Sequence, residues 1–388
     1  MPHTLRRLDG RALLVDPAPV AMVWNEPGRP HDALAVPGLT LGPGDALIEV
    51  ELATVCGSDL HTVRGDRSAE TPLVLGHEAV GRVVAAGERA VRSDGTRLEL
   101  GDRVVWSVTA SCGSCDRCAR GLPQKCRTLA KYGHARIVRG WELSGGFATH
   151  VQLREGTAIV PVGEALPASV AAPASCATAT AVAALDAAAG RVPLAGATVV
   201  VAGAGMVGLS VAALADDVGA TVVVSDPDPG RRAFALRFGA VAVADPSAPT
   251  ESDASLRGVL DRLSRSGVDA PLVAVEASGS PAAVRQAIDA VDVGGVVVLV
   301  GSVFPGPDVA ISPESLIRRL VTVQGVHNYA PHHLEEAVAA LHRLRRTRPF
   351  DEFVGATFSL AELDTAIEAA ASGAHVRVGI APQRRRHA

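Results

Sequence analysis

The chain has 388 residues, which suits two domains better than one compact core. Hydrophobic residues make up 48% and charged residues 20%, the balance of a globular protein, and this excludes wholesale disorder. A net charge of −4 and a pI near 6.3 give no bulk pull toward nucleic acid or a membrane surface.

Met1 to Asp16 lacks a continuous apolar core ahead of a small-residue cleavage site, so no signal peptide and a cytoplasmic location are expected. Residues 1 to about 175 are rich in Pro and Gly, with short β-type runs at Ala46–Leu52, Ala79–Ala85, Arg103–Val108 and Gly146–Val151. A mainly β domain with long loops is predicted there. From about Ala177 apolar strands alternate with helical stretches. The predicted strands are Thr198–Ala202, Thr221–Ser225, Leu272–Val275, Val296–Val300 and Leu320–Val323, with helices such as Arg231–Phe238, Ser255–Arg265 and Pro281–Val291 between them. That alternation predicts a parallel, doubly wound sheet, so the fold class is α/β. Two more helices (His332–Arg345, Leu360–Ser372) and a strand (Val376–Ile380) follow, and the Arg384–His387 tail is expected to fray. Val192–Ala215 is 24 residues without a charge, long enough to span a bilayer. Its β-branched run, glycines and Ala/Leu/Val segment read instead as strand, turn and helix in a buried core. Aromatics are only 3%, so Ala, Val and Leu must build that core.

Gly203-Ala204-Gly205-Met206-Val207-Gly208 fits G-x-G-x-x-G between a strand and a helix, and a second strand ends at Asp226, 23 residues after the first glycine. Gly203 allows a tight turn, Gly205 a close approach to a pyrophosphate at the helix N-terminus, and Gly208 close helix–strand packing. Asp226 would accept from both ribose hydroxyls and repel a 2′-phosphate, which favours NAD over NADP. Arg231 and Arg232 stand close enough in sequence to bind that phosphate instead.

The chain has six cysteines. Six could pair as disulfides in a secreted protein, but a chain this long rarely needs staples. Cys112, Cys115, Cys118 and Cys126 fall within 15 residues, a spacing that suits one tetrahedral, closed, structural Zn²⁺ in a lobe at about 110–128. Cys56, His77 and Cys176 could form a second, open zinc site, though spacing alone does not single them out from core residues.

Gly76-His77-Glu78-x2-Gly81-x5-Gly87 resembles the zinc signature of the zinc-dependent medium-chain alcohol dehydrogenases, and Cys56-Gly57-Ser58-Asp59-Leu60-His61 their first-ligand loop. The four-cysteine lobe and late glycine motif fall in the same order, and the likeness covers almost the whole chain. The resemblance implies a GroES-like β-rich catalytic domain (1–175 and 329–388) interrupted by a Rossmann NAD-binding domain (176–328). It implies two zincs per chain, NAD, a small alcohol or carbonyl substrate and a homodimer or homotetramer, with no nucleic acid or membrane partner. Cys56, His77 and Cys176 would hold the catalytic zinc. Glu78 would lie behind them or exchange as a ligand, and Asp59 would orient the His77 ring. Ser58 and His61 would relay the hydroxyl proton that an alcohol loses before its carbon gives up hydride. Met206, Val207, Thr180, Asp226 and Arg231 would line the cofactor, Arg377 would reach its phosphates, and Asn328 and Tyr329 would lie near the hinge.

Val108 stands where many relatives carry an aromatic facing substrate, which implies a wider pocket. Between Arg117 and Arg139 there are seven Lys/Arg, including Lys125 and Lys131, the chain's only lysines, together with His134 and no acid. The charges either offset the four thiolates or steer an anionic substrate through Lys131, His134 or Arg136. The runs Gly121–Cys126, Lys131–His134 and Cys176–Thr180 are similar to a subgroup associated with phosphonate metabolism. Two other activities are consistent with the family order: reduction of a C=C or iminium bond, and nucleotide binding by a regulatory protein without turnover.

Overall fold

The computed structural model describes residues 4–9 and 11–383, so the expected fraying of Arg384–His387 lies outside the described residues. The chain forms two compact units: Met1–Cys176 with Ala330–His342 and Phe350–Ala388, and Ala177–Tyr329 with Arg343–Pro349. The stretch Arg343–Pro349, expected in the first, goes with the second.

The first unit is built on an eight-stranded sheet. Its main path runs Ala130–Lys131, Arg103–Ala110, Glu78–Ala86, Ala46–Thr54, Arg377–Ala381 and Val354–Ser359. His150–Leu153 joins Ala46–Thr54, and Thr157–Pro161 joins Arg103–Ala110. All pairs are antiparallel except the last on the path. The sheet wraps a core that includes Ile48, Val50, Val83, Val104, Trp106, Phe147 and Val378.

The strand predicted at Gly146–Val151 begins only at His150. The preceding residues are spent elsewhere: Gly146 N–H donates to the Gly76 carbonyl at 2.7 Å and Phe147 N–H to Leu75 at 3.0 Å. They brace the loop that carries His77. The helix Gly57–Arg64 was not predicted, because its sequence has no apolar stripe. It is nucleated instead by Asp59, whose Oδ2 accepts from Cys56 N–H at 2.9 Å.

The second unit holds a six-stranded, wholly parallel sheet. In space the strands run Ala240–Ala244, Thr221–Ser225, Thr198–Ala202, Pro271–Glu276, Val296–Leu299 and Thr322–Gly325. In chain order this is 3-2-1-4-5-6, the Rossmann arrangement. Val199–Val201, Val222–Val224 and Val296–Val298 have no exposed surface, as expected of strands covered on both faces. The charge-free stretch 192–215 contributes the strand Thr198–Ala202 and most of the helix Met206–Asp217. Among the described residues no single helix is long and apolar enough to cross a membrane. The last strand starts at Thr322 rather than Leu320, because Leu320 takes a left-handed conformation (φ 54°) that closes the helix Pro313–Arg319.

Candidate metal centres and nucleotide site

Three separated segments of the first unit bring one cluster together. Cys56 follows strand Ala46–Thr54, His77 and Glu78 open strand Glu78–Ala86, and Cys176 ends the turn Ala172–Ser175. One ligand atom each from Cys56, His77, Glu78 and Cys176 lies within 4.8 Å of all the others. Asp59 ties two of these segments together. It is fully buried, and its Oδ1 accepts from Gly76 N–H at 3.3 Å and stands 3.5 Å from His77 Nδ1, an ion-pair distance. That nitrogen is buried without a hydrogen bond, while Ser58 Oγ lies 3.4 Å from His77 Nε2.

The charges show how the cluster stands before a metal enters. A hydrogen bond from the Cys176 thiol holds Cys56 well below the usual thiol range against the opposing effect of burial, with Arg377 and His77 helping. Cys176 is pushed well above that range by the same contact and by burial. Burial works against a charged His77, yet Asp59 and Cys56 outweigh it and hold its pKa up at about 10. These shifts favour a thiolate at Cys56 and protons on Cys176 and His77, and any such proton must leave when all three ligate. Two sulfurs and one imidazole on a buried, underbonded site fit zinc with an open position.

Glu78 stands behind these donors. Burial raises its pKa, opposed by Arg377. Its Oε2 accepts from Thr54 Oγ1 at 2.6 Å and Arg377 Nε at 3.0 Å, and its Oε1 from Arg377 Nη2 at 3.2 Å. Arg377 was expected at the cofactor phosphates. Its guanidinium lies on Glu78, with Nη1 on the Val376 carbonyl at 3.2 Å and Nη2 3.6 Å from Cys56 Sγ. The sequence held one signal for this pair: a glutamate next to a buried ligand histidine needs a cation.

The second cluster is the four-cysteine lobe. Sulfur–sulfur distances are 3.4 Å for Cys112–Cys126, 3.5 Å for Cys115–Cys118 and 3.9 Å for Cys115–Cys126. A disulfide needs about 2.05 Å, whereas four sulfurs about 2.3 Å from one zinc stand roughly 3.8 Å apart. Backbone donors already favour thiolates here: N–H groups of Ser114 and Cys115 draw the Cys112 pKa down to about 5. Cys118, pushed up to about 12 by burial and its sulfur neighbours, is the thiol that would give up its proton last. All six cysteines are free, and the four sulfurs of the lobe lie within 4.8 Å of one another, a set that would suit a tetrahedral zinc with no open position.

In the second unit the glycine motif turns from strand Thr198–Ala202 into helix Met206–Asp217. Gly203 has φ 104°, and a Cβ on Gly208 would sit 1.8 Å from the Gly203 carbonyl oxygen, so both must be glycine for backbone reasons. A Cβ on Gly205 would meet nothing within 4 Å. That open space before the N–H groups of Met206 and Val207 at the helix N-terminus fits a pyrophosphate. Asp226 is buried at the end of the next strand; Oδ2 accepts from Ala204 N–H at 2.7 Å and Oδ1 from Asp228 N–H at 2.9 Å. Arg232 is held by Asp245 at 3.2 Å and by the Asp226 carbonyl at 2.7 Å, while Arg231 N–H donates to Asp228 Oδ1 at 2.7 Å. Thr180 is half-buried in helix Ala177–Ala189; Asn328 is left-handed (φ 55°) and Tyr329 buried where the second unit's main segment ends.

The alcohol dehydrogenase GroES-like domain matches residues 42–164 and the zinc-binding dehydrogenase domain residues 206–343. An L-threonine 3-dehydrogenase of Streptomyces coelicolor is 33% identical over 300 residues, covering 75% of this chain and 79% of that protein. An alcohol dehydrogenase of Thermotoga maritima superposes with a TM-score of 0.85 at 27% identity, over 94% of this chain and 99% of the other. A zinc-binding dehydrogenase of Sinorhizobium meliloti, solved with NADP, does so with a TM-score of 0.79 at 28% identity, again over 94% and 99%. With both zinc sets, the glycine turn and the two domains in the family's order, the chain belongs to the zinc-dependent alcohol dehydrogenases of the medium-chain dehydrogenase/reductase family and is an oxidoreductase that uses zinc and a nicotinamide cofactor.

Proposed function

We propose that the enzyme transfers hydride between NAD(H) and a primary or secondary alcohol, or the corresponding aldehyde or ketone. The observation that carries this reading is Ser58 Oγ standing 3.4 Å from His77 Nε2, a hydroxyl beside the open ligand set. Cys56, His77 and Cys176 would hold a zinc whose Lewis acidity lowers the pKa of a substrate hydroxyl. Ser58 would accept the hydroxyl proton while releasing its own toward His61. His61 lies three residues on, on the same face of helix Gly57–Arg64. Its side chain is 39% exposed, with Asp66 Oδ2 3.1 Å from Nδ1, so it can pass the proton to water. A nicotinamide held by the glycine turn would supply the hydride acceptor, so that the substrate carbon, having lost its hydroxyl proton to the relay, becomes a carbonyl. Asp59 keeps His77 aimed, and Arg377 neutralises Glu78 behind the ligands.

The test follows NADH absorbance on mixing zinc-loaded enzyme, NAD⁺ and a panel of alcohols that includes L-threonine, with and without chelator. No signal from any alcohol would remove this reading and leave C=C or iminium reduction, or binding without turnover. Ser58→Ala should lower kcat by on the order of 10²-fold while zinc content stays unchanged; an unaltered kcat would remove Ser58 from the relay.

Cofactor choice is a separate expectation. Asp226, at the end of the strand after the glycine turn, would turn its carboxylate to the ribose, and a 2′-phosphate would meet its charge. Asp226→Ser should therefore raise kcat/KM with NADP⁺ at least about tenfold relative to NAD⁺, with Arg231 near the new phosphate position. An unchanged ratio in steady-state kinetics would place the discrimination elsewhere.

A further inference from the structure

A second set of charges lies against the catalytic cluster, and the relay does not use it. The segment after strand Ala130–Lys131 crosses the loop that carries His77. Gly133 (φ 71°) makes this possible: a Cβ there would stand 2.6 Å from the Gly76 carbonyl oxygen and 3.1 Å from His77 Cβ. His134 consequently places its ring 4.6 Å from the His77 ring, centroid to centroid. Arg67, just past helix Gly57–Arg64, reaches the same point, with Nη1 3.1 Å from His134 Nδ1. Lys131 is half-buried, and its carbonyl accepts from His134 N–H at 3.4 Å; burial lowers its pKa to about 8, and Arg67 adds to that shift.

The neighbouring charges separate the two roles open to the basic run. Arg120 and Arg127 pair with Asp116 at 3.3 and 2.9 Å, and Arg117 holds the Lys125 carbonyl at 2.9 Å; these stay with the cysteine lobe. Arg136 is exposed. Among the described residues no carboxylate lies within ion-pair distance of Arg67 or Lys131. Asp66, beside Arg67 in sequence, turns to His61. Within the cluster Arg377 pairs with Glu78 and Asp59 faces His77, so neither of these carboxylates is paired with Arg67 or Lys131. A partly buried cation without a partner is costly unless a ligand supplies the counter-charge.

We propose that Arg67, Lys131 and His134 form an anion subsite beside the catalytic cluster, and that the substrate is an alcohol or carbonyl compound bearing a carboxylate, phosphate or phosphonate group. The assignment rests on the dehydrogenase reading for its hydroxyl, and on these three side chains for its anion. Arg67 supplies a planar fork, Lys131 a point charge, and His134 links the subsite to the ligand ring. The anion fixes the substrate's far end while the carbon loses its hydride, so its binding appears mainly in KM.

The experiment compares ethanol, 3-hydroxypropionate and 2-hydroxyethylphosphonate as substrates, and acetate and methylphosphonate as dead-end ligands titrated calorimetrically into the holoenzyme. At least one anionic alcohol should exceed ethanol about a hundredfold in kcat/KM, and the matching dead-end ligand should bind. Lys131→Met and Arg67→Met should each raise KM for that substrate about tenfold or more with kcat within about twofold, and weaken the dead-end ligand equally. Lys131→Arg should restore most of the loss. The carboxylate and phosphonate arms identify which group is taken. Equal kcat/KM for neutral and anionic alcohols, with no binding of either ligand, would overturn the subsite and leave the dehydrogenase standing. Methylphosphonate or acetate binding that Lys131→Met abolishes, with no turnover of any alcohol, would uphold the subsite and overturn the reaction.

Discussion

A Cys56→Ser enzyme should keep one zinc per chain and lose at least about a thousandfold in kcat/KM. The serine hydroxyl is not ionised near neutral pH and binds zinc poorly, and the change leaves a ligand pair of His77 and Cys176 that cannot hold the metal against water. The charge balance also fails. Arg377 Nη2 lies 3.6 Å from Cys56 Sγ and His77 is held charged partly by the same thiolate, so both lose a partner in a buried site. Losing Lewis-acid stabilisation of several kcal/mol is worth about three powers of ten in rate. Metal analysis and NADH production check the two halves together. Full activity with two zincs would take Cys56 out of the ligand set, and zinc loss without rate loss would take the metal out of the reaction. Because the pKa values of Cys176 and His77 are both raised, and a ligand must be deprotonated to bind zinc, zinc affinity at this site should fall as the solution is acidified.

Cys126→Ser should remove the other zinc and act on stability before chemistry. Cys126 is the buried member of the lobe. Its sulfur accepts from Cys112 N–H at 3.3 Å and lies 3.4 Å from Cys112 Sγ and 3.9 Å from Cys115 Sγ. The helix Asp116–Ala119 and the turn Pro123–Lys125 are too short to hold the lobe by themselves and have no buried residue. Metal binding is then the main free energy that orders them, and its loss should cost on the order of 3–5 kcal/mol in overall stability. A thermal scan should show a lower Tm, limited proteolysis should cut at Arg117–Arg127, and one zinc should remain at the Cys56 cluster. An unchanged Tm and protease pattern would mean that the loop holds its shape without metal.

The elements split by how local their cause is. The valine strands of the parallel sheet were legible because burial on both faces leaves an apolar run, and the glycine turn because Gly203 and Gly208 answer to their own backbone. The helix Gly57–Arg64 was not legible: its start depends on one Asp59–Cys56 contact rather than on a periodic stripe. The strand at His150 was placed four residues early, since Gly146 and Phe147 look like strand residues but bond to the His77 loop. The strand Val354–Ser359, which pairs with the predicted strand at Arg377–Ala381, carries little pattern of its own.

The same division runs through the sites. The four-cysteine lobe was determined by sequence alone, because its donors fall within 15 residues and a single loop can gather them. The nucleotide turn was determined likewise. The catalytic set was only a set of isolated residues until the family likeness joined them, since Cys56, His77 and Cys176 come from three segments. The environment of that set was decided by tertiary structure: Arg377 on Glu78 across 299 positions, and Arg67 on His134 across 67. Sequence spacing carries no information about such pairs. Arg377 meets Glu78 because a buried carboxylate must find its counter-charge wherever the fold brings one near, whereas Arg67 meets His134 and the fold brings no carboxylate to Arg67 or Lys131.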